Sequence, residues 1–240
     1  MKKYLLITLI ASVLFGCQNK EQLNEVRVAG ALKIMMHKGD LSAKIVTDTL
    51  LKKYSNLYGL GAVENLKGEI LILNSKVYVS KEKNKQVIVT EEPQTAASLL
   101  VYTSVDKWQE VSALPAGSLQ ELETFIFEQA QKSGIDTNKA FPFLVKGVVP
   151  ELQWHVINWK DGDTEHSHTK HINSGANGTL KNKEVEILGF YSLKHKRIFT
   201  HHTSFMHMHF ITKDNALSGH IDAISTNKNL VLYLPENFKK

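Results

Sequence analysis

The 240-residue sequence contains a single cysteine, Cys17. One cysteine permits neither an intramolecular disulfide nor a cysteine-based metal site. Proline is also scarce, with five residues in the whole chain. A hydrophobic content of 42% is ordinary for a globular protein. The folded part of the chain must therefore be stabilised by its core alone.

Arginine is nearly absent, and Arg27 and Arg197 are the two that occur. The formal charge of +5 comes from lysines scattered along the chain, two of which are Lys2 and Lys3. Scattered lysines are typical of a solvated surface. Because no basic stripe is interleaved with aromatic residues, we expect no nucleic-acid partner.

A hydrophobic run long enough to span a membrane is missing as well, since residues 4–14 are too short for one. This apolar run follows Lys2 and Lys3 and precedes Leu14-Phe15-Gly16-Cys17, which resembles a bacterial lipobox. The pattern predicts a signal peptide over residues 1–16 and a tether over 17–27. We expect an exported protein of the bacterial cell envelope, attached to a membrane only through lipid on Cys17. The alternative is an ordinary cleaved signal with an incidental cysteine.

The rest of the chain, residues 28–240, reads as one β-rich domain of class α/β (β-rich α+β). Its clearest helix is predicted over 118–133, where Ser118 and Glu121 form a capping box and Gly134 ends the helix. Alternating patterns predict strands elsewhere, including a pair within 68–80 joined at Asn74-Ser75. We predict loops over 56–61 and 163–181, and two β-rich halves that meet near 135–145.

Histidine is abundant, and ten of the 11 histidines lie from His155 onward. His207 and His209 alternate with apolar residues, so a strand would turn both imidazoles to one face. His220 follows at a distance that lets a hairpin bring a third imidazole beside them. Three neutral imidazoles with an open fourth position form a common catalytic zinc site. Structural or surface histidines are the competing interpretation.

Several segments together resemble the acetolactate decarboxylase family. The strongest are Tyr58-Gly-Leu-Gly61 with Leu66-Lys-Gly-Glu-Ile-Leu-Ile-Leu73, and His207-Met-His-Phe-Ile211 with Gly219-His-Ile-Asp222. Weaker matches cover Glu186-Ile-Leu-Gly-Phe190 and Leu232-Tyr-Leu-Pro235. The resemblance extends over roughly residues 30–235, and it implies a two-part mixed-sheet fold of the acetolactate decarboxylase type.

The resemblance also implies a function and a site. Members of the family hold zinc with three histidines, which match His207, His209 and His220, and a glutamate that matches Glu69 belongs to the same site. The implied reaction converts acetolactate, a 2-hydroxy-3-oxo acid, to acetoin and carbon dioxide. Zinc polarises the hydroxyl and ketone oxygens, and Glu69 carries a proton to the product carbon.

The sequence departs from the family where the substrate carboxylate is bound. The family places an arginine on the strand before an Asp-Gly turn, and Asn158 or Trp159 stands there in this chain. His155, Lys160 and Arg197 are candidate replacements, and His202 is a candidate substrate donor. The family also carries an acidic residue in a C-terminal tail, and we do not transfer that role to Glu236.

Two function classes therefore compete. The first is a zinc-dependent carbon–carbon lyase whose partner is a small 2-hydroxy-3-oxo acid. The second is a non-catalytic zinc- or ligand-binding lipoprotein that kept the metal site and lost the substrate clamp. A metal enzyme of different chemistry is a third and weaker interpretation. A homodimer is left open, and a second metal site at His166, His168 and His171 is a weaker expectation.

Overall fold

The computed structural model describes residues 20–239, so the predicted lipid attachment at Cys17 lies outside the described residues. Within them the chain forms two antiparallel sheets and four short α-helices. None of these helices combines the length and the apolar character that a membrane span requires.

The first sheet takes up the N-terminal part of the described chain. Its strands are β1 (Arg27–Ala29), β2 (Ile45–Val46), β3 (Leu57–Val63), β4 (Glu69–Leu73), β5 (Lys76–Lys83), β6 (Gln86–Glu91) and β7 (Ala96–Ser104). They are ordered β1-β7-β3-β4-β5-β6, and β2 also pairs with β7. The predicted strand pair within 68–80 is confirmed as β4 and β5, with Asn74 and Ser75 between them at positive φ.

The second sheet follows in sequence. Its strands are β8 (Trp108–Ala113), β9 (Phe141–Val156), β10 (Ala176–Tyr191), β11 (Met206–Thr212), β12 (Ser218–Ser225) and β13 (Leu230–Pro235). They are ordered β10-β11-β12-β9-β13-β8. Because β10 also pairs with β9, the strands β10, β11, β12 and β9 close into a ring.

The helices are α1 (Leu32–Lys38), α2 (Thr47–Lys53), α3 (Leu119–Lys132) and α4 (His168–Asn173). The predicted capping box of α3 is present, because the Ser118 hydroxyl accepts from the Glu121 N–H and the Glu121 carboxylate accepts from the Ser118 N–H. Leu122, Ile126 and Ala130 bury the apolar stripe of α3 against the second sheet. The α1 helix ends at Gly39, whose left-handed φ of 62° suits glycine.

The two sheets pack face to face through a shared apolar cluster. Leu60, Leu71 and Val101 of the first sheet meet Leu144, Leu188, Phe190 and Ile211 of the second. Since side chains alternate along a strand, Glu69 lies on the same face of β4 as Leu71. For the same reason His207 and His209 share the face of β11 that carries Ile211. The interface between the sheets therefore contains both a hydrophobic cluster and a polar one.

The structure differs from the sequence-based expectation in the segment 56–61. This segment is predicted as a loop because of its glycines, yet it begins the fully buried strand β3. A Cβ added at Gly61 would collide with the backbone carbonyl of Leu99 on β7. The glycine therefore marks a close approach of two strand backbones.

Strand β9 runs unbroken through Pro150, from Phe141 to Val156. Pro150 lies where the pairing with β10 skips a position, between Val149↔Lys183 and Glu151↔Lys181. A proline is tolerated there because no ladder hydrogen bond is lost.

The junction between the sheets falls between Ser104 and Trp108, earlier in the chain than the predicted 135–145. Residues 135–145 instead carry the chain from α3 into β9. The predicted loop over 163–181 contains α4 and the start of β10, so it is more ordered than its polar composition indicates.

Candidate metal centre

Strand β11 places two histidines on the face that meets the first sheet. All seven of its residues are buried. Met206, Met208 and Phe210 fill the core on the side of α3, so His207 and His209 point to the opposite side. Both faces of β11 are therefore buried, one in the apolar core and the other, with its two imidazoles, between the sheets.

Strand β12 brings the third histidine beside them. His220 is the direct cross-strand partner of His209, and their rings lie 5.3 Å apart between centroids. The His207 Nε2 atom is 3.1 Å from His220 Nδ1 and 3.2 Å from His209 Nε2. Four ligands about 2.0 Å from one zinc ion stand roughly 3.3 Å from each other. The three imidazoles therefore fit a tetrahedral metal with one open position.

Protons alone do not satisfy these three nitrogens. His209 Nδ1 donates to the Ile70 carbonyl at 2.9 Å, which leaves its Nε2 as a bare lone pair. His207 Nε2 faces both of the other nitrogens and carries at most one hydrogen. At least one of the two short N···N contacts is therefore not a good hydrogen bond, and a cation would relieve it.

The electrostatics of the cluster also suit a metal. Burial lowers the pKa of His207 to about 3. Burial, reinforced by the neighbouring histidines, holds the pKa values of His209 and His220 well below the usual range. All three imidazoles are therefore neutral at physiological pH, and the neutral form is the one that ligates metals.

Glu69 reaches this cluster from the first sheet. Its side chain is buried, and its Oε2 atom lies 3.6 Å from His209 Nε2. Oε1 accepts a hydrogen bond from the Ile157 N–H at 3.3 Å. Burial raises the pKa of Glu69 to about 7, although His155 and the Ile157 N–H oppose the increase. A carboxyl with such a pKa can hold and release a proton near neutral pH.

His155 and Asp222 extend the cluster along β9 and β12. His155 is the cross-strand partner of His220, and its Nδ1 lies 2.9 Å from both Asp222 carboxylate oxygens. His155 Nε2 lies 3.9 Å from Glu69 Oε1. Burial lowers the pKa of His155. The hydrogen bond with Asp222 and the charge of Glu69 raise the pKa by more than burial lowers it, so the net shift is upward.

From the sequence, His155 is predicted only as a replacement cation, and no role is predicted for Asp222. His155, His220 and Asp222 also place ligand atoms within 4.8 Å of one another, as His207, His209 and His220 do. Predicting His155 opposite His220 would require β9 to be recognised as one continuous strand, and Pro150 in its middle argues against such a strand.

Comparison with known proteins identifies the family of the chain. The sequence profile of the family described as alpha-acetolactate decarboxylase matches residues 31–235. The chain belongs to this family. The family is one of decarboxylases, so the broad assignment of the protein is decarboxylase, a lyase. No curated protein sequence matches the chain.

Solved structures of family members share the fold. One is the alpha-acetolactate decarboxylase of Bacillus subtilis strain 168, with a TM-score of 0.69 at 13% identity, covering 88% of this chain and 86% of that one. The enzyme of Bacillus subtilis subspecies spizizenii gives a TM-score of 0.68 at 14% identity, with the same coverage of both chains.

A third solved structure is a Staphylococcus aureus protein of unknown function that is similar to alpha-acetolactate decarboxylase. It gives a TM-score of 0.67 at 17% identity and covers 87% of this chain and 84% of that one. The predicted β-rich fold of the acetolactate decarboxylase type is confirmed.

Asn158, which stands where the resemblance implies an arginine, is bonded within the protein. The Asn158 side-chain amide donates to Glu82 on β5 at 2.8 Å, and its backbone N–H donates to the Ser174 hydroxyl. The amide is therefore engaged with a carboxylate. Asn158 as a substrate-binding residue stays a prediction.

The other two predicted substrate residues lie on the surface. Arg197 is exposed, and its backbone binds α1 through the Lys33 N–H at 2.8 Å. His202 is exposed beside His201, with ring centroids 4.1 Å apart. Among residues 20–239, no hydrogen bond, ion pair or ring contact joins Arg197 or His202 to the imidazole cluster.

The histidines of the predicted loop separate into two groups. His166 Nδ1 lies 3.0 Å from His171 Nε2, and His166 stacks on Trp159 with centroids 4.4 Å apart. His168 instead approaches His201 across the surface, at 4.8 Å. The three side chains therefore do not converge on one point.

Proposed function

We propose that this protein is a zinc-dependent decarboxylase that converts acetolactate, or a related 2-hydroxy-3-oxo acid, to acetoin and carbon dioxide. One observation carries the proposal. Three neutral imidazoles converge beside a buried carboxyl group whose pKa is raised to about 7. Membership of the decarboxylase family supports the same reaction.

Zinc suits this donor set better than calcium or magnesium, which prefer oxygen ligands. His207, His209 and His220 would hold the ion and leave a position open for substrate. When bound, zinc supplies a Lewis acid for the hydroxyl and ketone oxygens of the substrate. Asp222 and His155 would support the cluster from the side of β9.

Glu69 would supply the proton that completes the reaction. When the bond to the carboxylate carbon breaks, its electron pair passes into an enediolate, and the former C2 carbon needs a proton to give acetoin. Oε1 of Glu69 accepts from the Ile157 N–H, so we expect the proton on Oε2. Glu69 would then recover a proton from solvent.

The direct test is acetoin formation from racemic acetolactate by the purified, zinc-loaded protein. We expect acetoin with zinc and none after chelation, with activity restored when zinc is added back. Stoichiometric zinc without any acetoin would refute the decarboxylase proposal.

One observation favours the second candidate, a non-catalytic zinc- or ligand-binding protein. Position 158, where the resemblance implies an arginine, is an asparagine and supplies no cation. The amide of Asn158 is in addition bonded to Glu82. Under this alternative, zinc and a small hydroxy acid would bind without turnover. Calorimetry with acetolactate, run beside the acetoin assay, separates the two functions.

We also propose that the protein is exported and held at a membrane through lipid on Cys17. The support is the apolar run over residues 4–14 followed by Leu-Phe-Gly-Cys. A Cys17→Ser variant should leave the membrane fraction or accumulate unprocessed, as measured by fractionation and mass spectrometry. Normal processing and retention of that variant in the membrane would contradict the anchor.

A further inference from the structure

Ser80 lies on the wall of the candidate metal centre that the first sheet provides. It is the direct cross-strand partner of Glu69, with Glu69 on β4 and Ser80 on β5. Paired residues of an antiparallel sheet point to the same face, with Cβ atoms about 4.5–5.5 Å apart. Tyr78, two residues before Ser80, packs into the apolar cluster between the sheets, which identifies that face as the one toward the imidazoles.

The Ser80 hydroxyl is buried without a partner. The residue is 1% exposed, and its oxygen makes no hydrogen bond with any residue in 20–239. Other buried hydroxyls of the same sheet are paired: Ser104 donates to the Ser55 carbonyl at 2.7 Å, and Thr103 to the Glu25 carbonyl at 2.8 Å. Buried polar groups are rarely unpaired, because their lost hydration is then not offset.

The polar groups that β9 and the residues after it bring to the site are already engaged. The Ile157 N–H donates to Glu69, the Asn158 amide donates to Glu82, and His155 Nδ1 is bound to Asp222. The hydroxyl of Ser80 is therefore a free donor next to the carboxyl that is placed to carry the proton.

We propose that the Ser80 hydroxyl is a substrate-binding group, which donates a hydrogen bond to the carboxylate of the hydroxy acid held beside Glu69. This inference rests on the proposed function. A neutral donor on β5 would take the place of the cationic clamp that the resemblance implies just after the end of β9. The proposal gives a role to a hydroxyl at a position where alanine would pack without an unpaired polar atom.

The role predicts a particular kinetic signature. The carboxylate loses its charge as carbon dioxide leaves, so a donor to it stabilises the bound substrate at least as much as the transition state. Removing the donor should therefore raise KM and leave kcat nearly unchanged. A hydrogen bond to a charged group corresponds to an affinity change of about ten- to a hundredfold.

The experiment compares Ser80→Ala with Ser112→Ala in the zinc-loaded protein. Ser112 is a matched control, because its hydroxyl is also buried and unpartnered but lies on β8, at the edge of the second sheet. The probes are acetolactate turnover and calorimetric binding of 2-hydroxyisobutyrate, a hydroxy acid without the ketone that decarboxylation requires. Ser80→Cys serves as a variant of similar volume with a weak donor.

We expect Ser80→Ala and Ser80→Cys to weaken hydroxy-acid binding and raise KM by about tenfold or more, with zinc content and kcat close to wild type. Both alanine variants should raise Tm by about 2–4 °C, because each removes a buried unpaired hydroxyl. Ser112→Ala should leave binding unchanged. Higher stability together with weaker binding distinguishes a substrate group from a structural one.

Unchanged KM and binding in Ser80→Ala would overturn the proposal, and a Tm decrease would indicate a hydroxyl satisfied by buried water. The two proposals fail separately. Hydroxy-acid binding that depends on Ser80, without acetoin formation, would refute only the decarboxylase proposal. Acetolactate turnover with the same KM in wild type and Ser80→Ala would refute only the role of Ser80. A wild-type protein that binds neither hydroxy acid would refute both.

Discussion

The candidate site has two sides that differ in how completely they are built. The metal side consists of His207, His209 and His220, which converge within hydrogen-bonding distance on adjacent strands. The substrate side, as predicted from the sequence, consists of Asn158, Arg197 and His202. Arg197 and His202 are exposed, and the Asn158 amide is bonded to Glu82. The comparison teaches that the imidazole cluster is fully assembled between the sheets, whereas the predicted substrate residues are not gathered beside it.

Removing two ligands of the metal side should give the largest effect. We expect the His207→Ala, His209→Ala double variant to lose stoichiometric zinc, because only His220 of the three imidazoles remains and Asp222 is already bonded to His155 Nδ1. Elemental analysis of the purified protein measures this loss.

The matched control for zinc binding is the His166→Ala, His171→Ala double variant. That pair has a similar N···N distance of 3.0 Å but lies outside the cluster, so its loss should leave zinc content unchanged. If the His207→Ala, His209→Ala variant retained zinc and the His166→Ala, His171→Ala variant lost it, the metal site would be assigned to His166 and His171 instead.

Changing the carboxyl beside the metal side should give the next largest effect. Glu69→Gln keeps the shape of the side chain but cannot transfer a proton. We expect zinc content near wild type and a decrease in kcat of about 10²–10⁴-fold. Glu186→Gln, at an ion pair with Lys146 on the surface, is the control. Turnover by Glu69→Gln at the wild-type rate would remove Glu69 from the mechanism.

Rebuilding the substrate side should give an intermediate effect. Arginine at position 158 alone would meet the Glu82 carboxylate, which now accepts the Asn158 amide, so we expect little change in KM. Removing that charge as well, in Asn158→Arg with Glu82→Gln, should free the guanidinium for the substrate. A new charge-assisted hydrogen bond is worth roughly 1.5–3 kcal/mol, so KM for acetolactate should fall by about tenfold or more.

The two arginine variants should be compared in one steady-state assay with the Glu82→Gln single variant as control. Equal KM values for Asn158→Arg and the double variant would show that Glu82 does not restrain position 158.

The smallest effect is expected at the surface of the substrate side. Arg197 is exposed, and its backbone, rather than its side chain, makes the contacts that hold the loop to α1. Arg197→Ala should therefore change KM by less than about twofold, within the usual range for surface substitutions. A tenfold increase in KM would instead identify Arg197 as the replacement cation.

The convergence of the three imidazoles could be predicted from the sequence because the information for it is local. The alternation of His207 and His209 with apolar residues fixes their common face, and a short hairpin returns His220 beside them. The helix α3 was predictable for the same reason, since its cap is encoded within Ser118 to Glu121.

The remaining features depend on contacts between distant segments, which local patterns do not encode. The sequence predicts a loop at Gly61. In the structure Gly61 lies in a buried strand, where a glycine is needed because the backbone of Leu99 comes so close. The pairing of His155 with Asp222 requires the register of β9 against β12, which Pro150 conceals. The role of Glu82 at Asn158 likewise requires β5 to meet the end of β9.

The placement of Glu69 and the imidazoles on different sheets has a consequence for the order of assembly. His207 and His220 are 13 residues apart, whereas His209 and Ile70, the neighbour of Glu69, are 139 residues apart. Local contacts form earlier in folding than contacts between distant segments. We therefore expect the β11–β12 hairpin to capture its ion first and Glu69 to arrive only when the sheets dock. Maturation would then be sequential, with metal uptake preceding catalytic competence.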